Sequence, residues 1–127
     1  MSTCIFCEIV AGRLPSHKVY EDEHFVAFLD INTLSAGHTL VIPKEHHRYV
    51  WDVENIAGYF LVVQKIAKAL QKLSDTEEVH MKVVGEEVHH AHVWVYANPK
   101  EVHGEKWDFI ENAKTLRSIL AESSYPG

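Results

Sequence analysis

One stretch near the end of the chain constrains the fold more than any other. Residues 88–96 read Val-His-His-Ala-His-Val-Trp-Val-Tyr. Successive side chains of a β-strand point to opposite faces, so a strand here carries two different surfaces. One face receives His89, Ala91, Val93 and Val95, and the other receives His90, His92, Trp94 and Tyr96. We expect the small apolar face to pack on a helix and the histidine face to form a polar and aromatic surface.

The remaining sequence predicts four further strands and three helices. The strands are expected at 18–21, 24–30, 38–42 and 78–84, with a turn at 21–23. A helix of one or two turns is expected at 4–11, and a last helix at about 107–121. A long amphipathic helix, with Asp52 as its N-cap, is indicated by apolar residues spaced three and four apart up to Leu73. This order predicts one α+β domain, an antiparallel five-stranded sheet with a long helix and a C-terminal helix on one face.

Composition is that of an ordinary globular domain. A chain of 127 residues suits a single domain over 1–127, and 46% hydrophobic residues are enough for a core. A net charge of -6 gives no positive field for phosphate backbones, so nucleic acid is not an expected partner. No apolar run is long enough to span a bilayer and the first residues lack the pattern of a secretory leader. We therefore expect a cytoplasmic protein that does not bind membranes.

Histidine and cysteine are the unusual residues of this chain. There are ten histidines, and the two cysteines are spaced as Cys4-x-x-Cys7. In a reducing compartment such a pair favours a metal or redox element over a structural disulfide, and no βαβ pattern of the thioredoxin kind surrounds it. A single histidine on a strand is most often an ordinary half-buried side chain. Alternate histidines beside a tryptophan, in a chain with this cysteine pair, favour a functional site.

The segment His90-Ala91-His92-Val93-Trp94-Val95-Tyr96 resembles the signature strand of the histidine-triad (HIT) family. In that family histidine alternates with hydrophobic residues, and the third alternate position is usually histidine as well. Other matching segments occur in the family order, namely 4–9, 19–23, 28–31 and 37–44, followed by His46. The resemblance covers about residues 4–99 and implies a single HIT-like domain.

The resemblance implies a nucleotide site. His92 matches the family nucleophile, which attacks the α-phosphorus of a nucleotide and forms a nucleotidyl-histidine that water then releases. Asp30 matches the acidic residue that accepts the ribose hydroxyls, while Phe6, Phe28 and Ile31 match walls of the base pocket. The three apolar residues are explained equally well as core, and a role for Asp30 as only a turn former at a strand end stays open.

The resemblance also implies a metal site. Cys4, Cys7, His46 and His90 match the four zinc ligands of the family members that carry a metal. Two thiolates and two imidazoles suit tetrahedral zinc, and a closed set of four means a structural ion. Two alternatives remain open: His47 in place of His46, and a redox cysteine pair without metal.

Two departures from the family pattern bear on the reaction. Trp94 replaces the third histidine, and Gly85-Glu86-Glu87 stands where many members have a Gly-Gln-Ser stretch that contacts phosphate. Indole has one N–H donor and no proton to give, so Trp94 could orient a phosphate oxygen but not protonate a leaving group. An amine leaving group needs that proton, whereas a phosphate leaves as an anion. We therefore predict a preference for phosphoanhydrides over phosphoramidates.

Three functions follow from these observations. The first is a hydrolase or nucleotidyl transferase that acts through His92 on adenosine nucleotides or dinucleoside polyphosphates. The second is a nucleotide-binding module whose turnover is impaired by Trp94, and the third is a zinc or redox protein unrelated to nucleotides. The resemblance implies a homodimer in which two sheets join and the long helices meet. The apolar residues Tyr59, Phe60, Val62 and Val63 give the long helix the width for such contacts, and core burial explains them too.

Overall fold

The structure is a computed structural model that describes residues 4–85, 88–101 and 104–122. Its helices are α1 (Ile5–Val10), α2 (Ile56–Ser74) and α3 (Phe109–Glu122), and a 3₁₀ turn spans Val50–Asp52. Its strands are β1 (Lys18–Glu21), β2 (Phe25–Leu29), β3 (Thr39–Pro43), β4 (Val79–Val83) and β5 (Val93–Ala97). The predicted α+β class with a five-stranded sheet, a long helix and a C-terminal helix is confirmed.

The five strands form one antiparallel sheet in the order β1-β2-β3-β5-β4. The last strand of the chain is thus inserted between β3 and β4, and β4 lies at an edge. The first hairpin turns at Asp22, whose carboxylate accepts hydrogen bonds from the backbone N–H groups of His24 and Phe25 at 2.8 Å each. The predicted hairpin turn is confirmed, but it lies at 22–24 because Glu21 still belongs to β1.

The sheet has a different core on each face. Helices α2 and α3 cover one face, where the buried side chains include Tyr59, Ile66, Leu70, Val93 and Leu116. The smaller core on the other face contains Phe6, Ile9, Val26, Phe28, Leu40 and Ile42. Because Phe6 and Ile9 belong to α1, this short helix packs on the face opposite to α2 and α3. The expectation that the long helix and the C-terminal helix share one face is confirmed, and α1 lies on the other face.

The strand predicted at 89–96 begins only at Val93, so His89, His90 and His92 precede it. Its ladder starts at Val93, whereas residues 88–90 form a bend. The backbone just before the strand is held instead by other contacts: the Ala91 N–H donates to the His47 carbonyl at 2.6 Å, and the His90 ring contacts the Pro43 carbonyl. The alternation of faces nevertheless persists from Ala91 onward. His89, predicted on the apolar face, is exposed.

The N-cap of the long helix is Asn55 rather than Asp52. The Asn55 carboxamide oxygen accepts from the Gly58 N–H at 3.0 Å, and Asp52 lies in the preceding 3₁₀ turn. Both residue types cap helices well, so sequence preference alone does not choose between them.

Candidate active site and metal centre

His92 is held in one tautomer by the backbone. Its Nδ1 lies 2.7 Å from the carbonyl oxygen of His90, and a carbonyl only accepts, so the proton is on Nδ1 and the lone pair on Nε2. The ring is buried, and the Phe6 ring packs edge-on against it with centroids 5.2 Å apart. The His92 imidazole therefore has fixed orientation and a defined nucleophilic nitrogen.

His92 lines a cavity of about 590 Å³ on the face of the sheet that carries the smaller core. The six residues predicted to bind nucleotide all line this cavity: Phe6, Phe28, Asp30, Ile31, His92 and Trp94. A cavity of this size, largely apolar with a few polar groups, has the character of a small-molecule site. The structure thus brings together residues that are up to 88 positions apart in the chain.

The apolar residues of the cavity differ in whether they also belong to the core. Phe6 and Phe28 are buried in the smaller core and also line the cavity, with their rings edge-to-face at 5.6 Å. They therefore serve both purposes. Ile31 is 69% exposed at the cavity, so burial in a core does not explain its apolar side chain.

Asp30 lies at the end of β2 and forms a turn with one of its carboxylate oxygens. Its Oδ1 accepts from the Asn32 N–H at 2.9 Å, and its Oδ2 lies 3.7 Å from Nε2 of His38. Asp30 is thus a turn former, and it also places a carboxylate at the cavity wall.

His38 is a residue of this region that sequence reasoning missed. It is 1% exposed, and its Nδ1 accepts from the Leu34 N–H at 3.1 Å, which leaves the proton on Nε2 facing Asp30. Burial lowers the pKa of His38 to about 4, although the nearby Asp30 carboxylate opposes the shift. Its ring also contacts Trp94 at a centroid distance of 5.5 Å. The available signal was its position at the start of a strand, where alternation puts it on the face of Leu40 and Ile42.

Cys4, Cys7, His46 and His90 form a group whose ligand atoms all lie within 4.8 Å of one another. The Cys7 Sγ is 3.2 Å from Nδ1 of His46 and 3.4 Å from Nδ1 of His90, and the Cys4 Sγ is also 3.4 Å from Nδ1 of His90. Zn–S and Zn–N bonds of about 2.3 and 2.0 Å at tetrahedral angles separate sulfur from nitrogen by roughly 3.5 Å. The group therefore fits a tetrahedral zinc ion.

The orientation of His90 supports the same reading. Its Nε2 donates to the carbonyl of Pro43 at 2.8 Å, which turns the unprotonated Nδ1 toward the cysteine sulfurs. Burial also keeps the pKa of His90 below its ordinary value, so the ring is neutral as a ligand must be. His47 is not in this group, because its Nε2 lies 3.8 Å from Glu45 and it lines a different cavity.

The two departures from the family pattern sit differently in the structure. Trp94 lines the cavity, but its Nε1 is shielded from solvent and has no hydrogen-bond partner among the described residues. The indole N–H is therefore not presented to a phosphate in this conformation. Glu86 and Glu87 lie outside the described residues.

Comparison with known proteins identifies the class. The family model for the HIT domain matches residues 11–100. The chain is 56% identical over 70 residues to "Protein hit" of Bacillus subtilis, a match covering 54% of this chain and 48%, about half, of that protein. An adenosine 5'-monophosphoramidase of Saccharomyces cerevisiae is 31% identical over 133 residues, covering 95% of this chain and 83% of that protein.

A solved structure agrees over nearly the whole chain. The crystal structure of a Zn-bound histidine triad family protein from Mycobacterium smegmatis has a TM-score of 0.79 and 32% identity, and the match covers 94% of each chain. The sheet, the cavity and these matches define a histidine-triad type of domain. The chain belongs to the HIT family. Within the described residues, no helix is both long and apolar enough to cross a membrane.

Proposed function

We propose that this protein cleaves a nucleotide at its α-phosphorus, with His92 as the nucleophile that carries the nucleotidyl group until water or another acceptor removes it. One observation carries the proposal: the 2.7 Å hydrogen bond from Nδ1 of His92 to the His90 carbonyl, in the wall of the cavity. A neutral imidazole with this tautomer is a competent nucleophile near pH 7.

The substrate class is an adenosine nucleotide or a dinucleoside polyphosphate. The Phe6 and Phe28 rings and the exposed Ile31 supply apolar surface for a base, and the Asp30 carboxylate can accept hydrogen bonds from ribose hydroxyls. A nucleoside on these residues would occupy the cavity that His92 also lines, so its α-phosphate could reach that imidazole. The relative from S. cerevisiae, an adenosine 5'-monophosphoramidase, supports nucleotide chemistry for this site.

Zinc in the group of Cys4, Cys7, His46 and His90 would be structural. The four residues come from before α1, within α1, after β3 and just before β5, so an ion there ties the N-terminal helix to the sheet. A closed set of four ligands leaves no position for a substrate. His90 would also position His92, because the His90 carbonyl holds Nδ1 of His92.

The second candidate is a nucleotide-binding module without turnover. The observation in its favour is Trp94, whose N–H is shielded and which has no proton to give. This candidate keeps the same cavity and the same binding residues, and it differs only in the fate of the bound nucleotide.

The deciding experiment compares the wild type with His92→Asn, since the Asn amide can replace Nδ1–H as donor to the His90 carbonyl. AMP release from diadenosine tetraphosphate and from adenosine 5'-phosphoramidate should fall at least about 1,000-fold in the variant. Mass spectrometry at alkaline pH should detect one nucleotidyl group on the wild type only. Equal rates in both proteins would overturn the nucleophile, and nucleotide binding without turnover in the wild type would favour the binding module.

We also propose a homodimer and a cytoplasmic location. Tyr59, Val62 and Val63 are buried in the protomer core, so they are not the contact surface. An exposed apolar patch instead joins the edge strand β4 to the start of α2, and it consists of Trp51, Ile56, Phe60 and Val83. Light scattering at micromolar concentration should give twice the chain mass, and a monomer would contradict the dimer. Localisation by fluorescent fusion would test the compartment that the cysteine chemistry favours.

A further inference from the structure

Lys82 lies beside the residue that replaces the third histidine. It is on the edge strand β4, directly opposite Trp94 in the register of β4 and β5. Residues opposite each other in an antiparallel pair share a face of the sheet. The Lys82 ammonium lies over the Trp94 indole, with Nζ 5.5 Å from the ring centroid. Lys82 is therefore an exposed cation on the same face as His92 and Trp94.

The order of the strands places Lys82 on the side of His92 away from the nucleoside. The cavity walls Phe28 and Leu40 belong to β2 and β3, His92 lies just before β5, and Lys82 is on β4. The apolar wall, the nucleophile and the cation therefore follow one another across the sheet. A nucleoside on the β2 and β3 side leaves the β4 side for whatever is attached beyond the α-phosphate.

Trp94 does not supply a donor at this position, but it supports one. Its Nε1 is shielded from solvent, so the indole presents π surface rather than its N–H. An ammonium over a tryptophan ring is stabilised by the ring quadrupole and keeps its three N–H donors for other partners. The pair thus puts positive charge where a triad histidine is missing.

We propose that Lys82 binds the departing phosphate of a phosphoanhydride substrate, an inference that rests on the proposed function. As Nε2 of His92 bonds to the α-phosphorus, the bond from that phosphorus to the bridging oxygen breaks, and its electron pair goes to the leaving phosphate. The Lys82 ammonium donates a hydrogen bond to this phosphate and keeps its proton. Water then displaces His92 from the nucleotidyl group. A departing amine offers no negative charge to Lys82, so the residue discriminates between leaving groups.

The test compares Lys82→Met and Lys82→Arg on two substrates, diadenosine tetraphosphate and adenosine 5'-phosphoramidate. Loss of one charged contact at an exposed position should lower kcat/KM for the tetraphosphate about tenfold in Lys82→Met, and the phosphoramidate less than about twofold. Lys82→Arg should retain most of the wild-type rate on both. The matched control is Lys65→Met, since Lys65 lies over the Tyr20 ring at 5.4 Å on the helix-covered side of the sheet.

A binding measurement keeps the inference testable even without turnover. Calorimetry with ADP and AMP should show that Lys82→Met weakens ADP about tenfold and leaves AMP unchanged, because only ADP carries a phosphate beyond the α position. An equal loss for both substrates and both nucleotides, or no loss, would overturn the role of Lys82. Turnover that survives His92→Asn would instead overturn the proposed function, so the two failures are distinguishable.

Discussion

The two faces of β5 and of the two residues before it differ in what they contribute. Ala91, Val93 and Val95 are buried in the core under α2 and α3. His92 and Trp94, which alternate with them, line the cavity on the opposite face. One short segment thus holds the fold together with every second residue and forms the site with the others. This alternation predicts that stability and chemistry respond to different substitutions along the same strand.

The separation between residues for stability and residues for chemistry should fail most clearly at the metal group. His90 belongs to this group and lies on the site face, and the group joins three parts of the chain. We expect His46→Asn to lose bound zinc and at least about 3 kcal/mol of unfolding free energy, since structural zinc contributes directly to folding. Elemental analysis and denaturant unfolding measure both. His47→Asn is the matched control, and a variant of His47 that loses zinc while His46→Asn keeps it would reverse the ligand assignment.

Acidification should also lower the stability of the protein through a residue of the site face, His38. Burial holds the pKa of His38 at about 4, below the value near 6.5 of an unfolded chain. Below pH 6.5 the unfolded state therefore binds a proton that the folded state excludes, and stability falls as the pH drops to about 4. The loss from this group is up to about 3 kcal/mol. Between pH 7.5 and 4.5, the free energy of unfolding should fall more steeply with decreasing pH in the wild type than in His38→Gln.

His24 provides the comparison for that pH dependence, because its side chain is 68% exposed. His24→Gln should keep the wild-type slope of unfolding free energy against pH. If His38→Gln also keeps it, the buried His38 ring is not the group responsible.

On the helix-covered face the expected effect is on stability alone. Val95→Ala removes two methyl groups from a position with 0% exposure, which should cost about 2 kcal/mol of unfolding free energy. Nucleotide affinity of the folded protein should not change, because Val95 faces away from the cavity. Ile110→Ala, at a side chain that is 74% exposed, should leave stability within about 0.5 kcal/mol. A changed affinity in Val95→Ala would show that the two faces are coupled.

The same strand shows why part of the site was predictable from sequence and part was not. Alternation from Ala91 onward is a local pattern, so both faces could be predicted from the sequence, whereas the set of four candidate ligands was implied by the resemblance to the HIT family. The bend at 88–90 could not, because it depends on contacts with His47 and Pro43, which are over 40 positions away. The choice between His46 and His47 could not be predicted either. The two are adjacent in the chain, and only the direction of their side chains in the fold distinguishes them.

Lys82 illustrates a further limit of the sequence pattern. Nothing in its neighbourhood along the chain distinguishes it from a solvated surface lysine, and only the pairing of β4 with β5 brings it over Trp94. Pairing of this kind depends on the strand order of the finished sheet. A central strand that comes last in the chain gives no local signal of its two neighbours.

On the site face, the residue at position 94 should influence the choice of leaving group. Trp94→His restores an imidazole beside His92, and an imidazolium can protonate a departing amine. General acid catalysis is worth roughly 100-fold or more where the geometry is adapted. In this unadapted site we expect the ratio of phosphoramidate to phosphoanhydride rates to rise about tenfold. Initial rates with adenosine 5'-phosphoramidate and diadenosine tetraphosphate give the ratio directly. Trp94→Phe, which keeps an aromatic ring without an acid, should leave the ratio close to that of the wild type. A ratio that rises equally in both variants would mean that removing the bulk of the indole, rather than adding a proton donor, controls the choice of leaving group.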